Sequence, residues 1–181
     1  MNTFKLIALI VTILLFIIFW IAVYYGAFTK LNVEETTLPS YTIVVKKMQG
    51  AYKQSPKAMN EVYYYLLNEL DIETYKGIGI YYDNPQTTPD SQLQREAGSI
   101  IEEKDIEKLI NLEWYEVKTL EQKETMLITY PYKGMLSTII SLMRVYPKLN
   151  EYAQSHNYIG GPTIEISDIP GKTIYYYQEI L

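Results

Sequence analysis

Two short stretches decide the fold: GIYYDNP at residues 79–85 and IEISDIP at residues 164–170. Each carries β-branched or aromatic residues that favour a strand, and each closes on Asp-x-Pro, which ends one. Working outward, the flanks match as well. GAYKQ (50–54) stands upstream of the first stretch and YPYKG (130–134) upstream of the second. A helix signal fills both gaps. Ser55-Pro56 supplies a cap and a first-turn proline, and Met59, Val62, Tyr63, Leu66 and Leu70 then recur at helical spacing, which predicts a helix over 56–70. Leu136, Ile139, Ile140 and Met143 mark the second helix. Pro147 should break or kink it, with a further turn to about Ser155.

Alternation and β-rich composition place strands at 41–47, 77–83 and 95–102, and again at 115–120, 125–132, 162–168 and 172–180. NPQTTPD (84–90) reads as a turn, and 103–112 joins the halves. The expected fold class is α+β: duplicated strand-helix-strand-strand units, about 41–102 and 115–180, sharing one antiparallel sheet with two helices on one face. The other sheet face is expected to be concave at the pseudo-twofold axis and to hold a ligand.

The N-terminus is of another kind. Leu6–Phe28 is uncharged, flanked by Lys5 and Lys30, with Trp20, Tyr24 and Tyr25 toward its C-terminal side. A bilayer core needs roughly 20 apolar residues in a helix, and aromatic residues gather at its boundary. Residues 6–28 are therefore expected to be a transmembrane helix in a single-pass membrane protein, with the lipid bilayer as partner. A signal peptide has a shorter apolar core and a small-residue cleavage site, which Tyr24-Tyr25-Gly26-Ala27 does not offer. The lysines balance, so the side of the membrane that the domain faces is not specified. Residues 29–40 read as a polar linker, and 41–181 as the domain.

Composition removes several classes of function. The net charge is −5 with no basic run, so nucleic acid is not an expected partner. There is no cysteine, and His156 is the only histidine, which disfavours zinc, paired-histidine haem and cysteine nucleophiles. No cofactor or metal is expected. His156 reads as a helix-end residue, where a cation suits the dipole. Tyrosine is abundant, 19 of 181 residues, and its flat face with a polar tip suits both sheets and aromatic-lined sites.

The paired motifs, LQREAG (93–98) and the ending GPTIEISDIPGKTIYYYQEI (161–180) resemble the gyrase-inhibitor-like (GyrI-like), SOUL-related small-molecule-binding domain family over about 41–180. The resemblance implies a ligand cleft between two repeats. It also implies kinship with multidrug-sensing regulators, with hydrolases of cyclopropane-bearing genotoxins, and with a membrane-anchored reticulophagy receptor of animals, whose architecture this chain resembles. Two positions depart from the family pattern: Leu93-Gln94-Arg95-Glu96 displaces an arginine, and Ser167 stands where a tyrosine is common.

Glu165 is the foremost candidate site residue. It interrupts the apolar run Thr163–Ile166, where the motif places Ile80 in the other repeat. Strand alternation points it away from Ile164 and Ile166, and a turn at Pro170-Gly171 sets it across from Tyr176. The resemblance implies that the cleft glutamate falls here. Tyr81 and Trp114 complete the expected ligand-binding set with Glu165 and Tyr176. Of Tyr63, Tyr64 and Tyr65 one is expected in the core and another exposed, and about half of the tyrosines in 81–82 and 175–177 are expected in the core. The leading functional reading is a membrane-anchored binding module for an amphipathic or aromatic small molecule. The alternatives are a hydrolase of strained or electrophilic compounds with Glu165 as general base, and a membrane adaptor for a protein partner.

Overall fold

The structure, a computed structural model, describes residues 3–85, 87–110 and 112–181. Gln86, within the turn read at 84–90, and Asn111, within the joining segment read at 103–112, lie outside the described residues. The elements run α1 (Thr3–Tyr24), β1 (Glu34–Leu38), β2 (Tyr41–Gln49), α2 (Ser55–Leu70), β3 (Lys76–Tyr81), β4 (Gln94–Ile101), β5 (Glu116–Leu120), β6 (Lys123–Pro131), α3 (Met135–Ser155), β7 (Gly160–Asp168) and β8 (Thr173–Ile180). All eight strands form one antiparallel sheet in the order β1-β6-β8-β7-β3-β4-β2-β5. The order is a palindrome about the β7–β3 pair. The halves β2-α2-β3-β4 and β6-α3-β7-β8 are thus related by a pseudo-twofold axis, as the motifs predict.

The segment read as a linker differs from expectation. Within it, Glu34–Leu38 is a strand, β1, which pairs not with its chain neighbour β2 but with β6 of the second half. Its counterpart β5 pairs with β2 of the first half. The two halves have exchanged their leading strands. Only Leu38 of β1 is buried, so a polar edge strand carries almost no hydrophobic signal.

Apolar side chains cover both faces of the sheet. On the helix-free face, Leu38 from one edge strand and Leu120 from the other meet Ile43, Ile78, Ile164 and Ile166 in one cluster. Strands at opposite ends of the order share this core because the sheet curls. The helix-free face is therefore filled, and the concavity expected there lies instead on the helix side.

Helix α2 sets Ala58, Val62 and Leu66 onto the sheet, with Val62 and Leu66 against Val44 and Ile101. It ends where Asp71 turns left-handed at φ 51°. Helix α3 is built differently. Its buried face is Ser137, Ser141, Val145, Leu149 and Ala153, whereas the residues that mark it in the sequence, Leu136, Ile139 and Met143, are exposed. The inward serines satisfy themselves on the preceding turn: Ser137 Oγ donates to Gly134 O and Ser141 Oγ to Thr138 O, both at 2.7 Å. Ser141 also meets the hydroxyl of Tyr176, which reaches it from β8. Pro147 lies inside α3 without ending it. The carbonyl that loses its partner belongs to Met143, on the exposed side, where solvent can replace the missing N–H.

Helix α1 is long and apolar enough to cross a membrane. It closes in a Schellman turn: Ala27 N–H donates to Ala22 O at 2.9 Å and Gly26 N–H to Val23 O at 3.1 Å, with Gly26 at φ +92°. The helix thus stops at Tyr24, four residues before the apolar run ends.

Candidate functional site

The central strands β3 and β7 form the floor of a cleft of about 2190 Å³ whose walls are α2 and α3. Met59 and Tyr63 come from α2; Ile139, Leu142 and Tyr146 from α3; Gly77, Tyr81, Thr163 and Glu165 from the floor. Gly79 pairs directly with Glu165 across the pseudo-axis. Both face the helices, because alternation sends Ile80, Ile164 and Ile166 to the core on the other side. Ile80 packs in the core on the helix-free face while Glu165 faces the cleft, so the two do not occupy equivalent places in the repeats as the motif alignment suggests. The glycine at 79 leaves room. A Cβ would come within 2.8 Å of the Tyr81 hydroxyl and 3.0 Å of Met59 Cε.

Glu165 is only 9% exposed. Tyr146 donates its hydroxyl to Oε1 at 2.6 Å. Among the described residues no ion pair or hydrogen bond reaches Oε2. Burial pushes the carboxyl up to about 7, and the Tyr146 hydrogen bond, which favours the ionised form, offsets part of that. Tyr146, Tyr81 and Tyr176 are each held above the usual phenol range, first by burial and then by the Glu165 charge. The result is one carboxylate among three neutral phenols, with no ion pair to it among the described residues.

Tyr176 lies across from Glu165 in the β7–β8 register, as expected from the turn. It is fully buried beneath the cleft rather than on its wall, with its hydroxyl 2.5 Å from Ser141 Oγ. Its ring meets Tyr146 edge-on at 6.2 Å between centroids. Tyr81 lines the cleft and packs edge-on against Tyr52 at 4.8 Å. Tyr52 in turn donates to Asp83 O at 2.8 Å and accepts from Asp83 N–H at 3.1 Å, fixing the exit of β3. Trp114 is not brought to the site. It is 75% exposed on the approach to β5, the outer strand furthest from β7 on that side of the sheet.

Tyr146, which lines the cleft, and Arg95, which packs beside the cleft residues Tyr52 and Tyr81, were not legible in those places. Tyr146 sits on a helix whose sequence pattern is apolar outward. Arg95 is buried at 1% exposure beside Tyr52 and Tyr81, its Nη1 donating to Gly50 O at 2.5 Å. Its only sequence signal is the displaced arginine of LQREAG.

A family model described as the GyrI-like small molecule binding domain matches residues 31–181. This chain belongs to the GyrI-like family. The match takes in β1, in agreement with that strand's place in the sheet. The GyrI-like chain is 30% identical over 98 residues to the mouse protein named testis-expressed protein 264 homolog; the match covers 50% of this chain and 32% of that protein. Thus less than a third of the mouse protein is represented. Among solved structures, the EcmrR C-terminal domain superimposes with a TM-score of 0.58 at 8% identity, over 83% of this chain and 98% of that one. The structure of SAV2435 bound to tetraphenylphosphonium gives 0.51 at 10% identity, over 83% and 94%. At such identities the likeness is one of GyrI-like fold.

Proposed function

We propose that this protein is a membrane-anchored GyrI-like binding module that takes an amphipathic or aromatic small molecule, preferably cationic, into the cleft between α2 and α3. One observation carries the reading: a buried carboxylate with one oxygen unpartnered, in a cleft also lined by Tyr63, Tyr81 and Tyr146. Such a site attracts positive charge without offering it a water shell, and tyrosine faces add cation–π attraction. The solved relative bound to a lipophilic phosphonium cation supports the same class of ligand. Helix α1, with its aromatic C-terminal end, supports the anchor reading.

The test is a titration of the solubilised full chain with tetraphenylphosphonium. A cation prefers the ionised form of Glu165, so affinity rises with pH. With the carboxyl at about 7, the ionised fraction falls roughly a hundredfold from pH 8 to pH 5, and affinity is expected to fall by up to that factor. Glu165→Gln should weaken binding at pH 8 by about 1–3 kcal/mol and flatten the pH profile. Unchanged binding by Glu165→Gln would remove the carboxylate from the account.

A second reading, a hydrolase, is favoured by that same value of about 7, which suits a general base at neutral pH. It requires turnover of a strained-ring electrophile that drops at least ~100-fold in Glu165→Gln. Binding without turnover leaves the first reading alone.

A further inference from the structure

The exposed side of α3 is apolar at helical spacing: Met135, Leu136, Ile139, Leu142 and Met143, with Met135 77% and Met143 74% exposed. Among the described residues nothing buries them. Serines occupy the inward positions instead, so this face is not a core surface displaced by chance from the sheet.

The stretch is pinned at both ends to the end of α1. Before it, Lys133 Nζ donates to Tyr24 O at 2.7 Å and lies 4.6 Å from the Tyr24 ring centroid. After it, Arg144 donates from Nη1 to Gly26 O at 2.8 Å and from Nη2 to Thr29 O at 2.6 Å. Tyr130 adds a bond to Gly26 O at 2.6 Å. A Cβ at Gly26 would stand 2.7 Å from the Tyr130 hydroxyl, so a glycine is needed for that approach. Cations thus cap the carbonyl end of α1, and the first turns of α3 are held beside that end. If α1 spans a bilayer, its last turn with Tyr24 marks the lipid–water boundary. An apolar helical face flanked by Lys and Arg is the composition of a helix lying in that boundary.

We propose that the exposed face of α3 from Met135 to Met143 is a bilayer-contact surface, seated in the headgroup–acyl boundary of the membrane that α1 crosses. Met135, Ile139, Leu142 and Met143 also line the cleft. Its α3 wall therefore stands at the lipid boundary, and amphiphiles dissolved in the bilayer reach it without crossing water. The proposal rests on the anchor reading of α1.

The chain has no cysteine, so single cysteines report position directly. Full-length Ile139→Cys, Met143→Cys, Leu14→Cys and Asn68→Cys are spin-labelled and reconstituted into phosphatidylcholine vesicles. Accessibility to oxygen, which concentrates in lipid, is compared with accessibility to a water-soluble nickel chelate. Leu14 lies mid-α1, and Asn68 is exposed on α2. The expected result is a strong oxygen preference at 14, an intermediate one at 139 and 143, and a chelate preference at 68. Labels at 139 and 143 matching 68, with 14 in lipid, overturn the contact surface and leave the anchor standing. A label at 14 exposed to chelate overturns the anchor and the surface together. Labels at 139 and 143 shielded from both reagents, with spin–spin broadening, assign the face to a second copy of the chain and overturn the proposal.

Discussion

A carboxyl kept at about 7 in the folded protein weakens that protein at neutral pH. In the unfolded chain it titrates near 4.5. Between the two values the native state holds a proton that the unfolded state has released, so stability falls as pH rises through this interval. The cost is complete above about 7 and absent below about 4.5. A shift of that size corresponds to about 3 kcal/mol at 1.36 kcal/mol per pH unit. Glu165→Gln removes the charge and keeps the shape. At pH 8 it should therefore stabilise the protein by up to about 3 kcal/mol. For a domain of this size that raises Tm by roughly 6–12 °C. At pH 4.5, where wild-type Glu165 is largely protonated, the two should agree within about 0.5 kcal/mol. The assay is thermal unfolding of the two full chains in the same detergent across pH 4.5–8. A Tm difference that does not change with pH, or a mutant less stable at pH 8, would refute the account of Glu165 as an uncompensated buried charge. Stability surrendered at one residue for the sake of a ligand is the usual mark of a site.

Tyr146→Phe removes the hydroxyl that favours the ionised carboxylate, so the midpoint of the pH-dependent binding should move above 7; a midpoint that stays or falls contradicts the 2.6 Å bond as its cause. Gly98→Ala would put a Cβ 1.9 Å from Val44 O in the backbone of β2. It should cost several kcal/mol or prevent folding, and a denaturation midpoint near wild type would show that the strands can part cheaply. Arg144→Ala removes its two donors from the carbonyls of Gly26 and Thr29 and leaves Gly26 held by Tyr130; amide exchange at residues 25–30 should quicken, and unchanged exchange would show that the two bonds do not hold this turn.

Element positions were readable wherever burial imposes a period. The strand registers around Glu165 and Tyr176 follow from alternation and one turn, and the structure has them paired. Four features were not readable, each for a physical reason. Strand β1 is held by backbone hydrogen bonds on a polar edge, so its side chains carry no pattern. The first turns of helix α3 set Ser137 and Ser141 to the sheet and Leu136, Ile139 and Met143 outward, with only Ile140 of the marking residues packed on the core, so periodicity there identifies the helix but misplaces its core face. The location of the cleft depends on curl. Only when Leu38 and Leu120 converge does the helix-free face fill and leave the space between the helices for a ligand. The phase of the repeat was also hidden. The motif makes Ile80 the equivalent of Glu165, whereas the two face opposite sides of the sheet.

The exchange of leading strands has a consequence for synthesis. Strand β1 leaves the ribosome directly after α1, yet Glu34 pairs with Leu127, and β2 is covered only when β5 arrives. At about 5–20 residues per second, β1 waits roughly 5 to 20 s for its partner. Throughout that interval the nascent first half has its own outer edge bare and a spare strand that fits only the half still to come. Neither half can close its sheet alone, so a chain cut between β4 and β5 should yield two fragments that are each open-edged and that regain order only when translated together. The duplicated domain folds as one unit on this account, and its last step is the mutual delivery of two short strands.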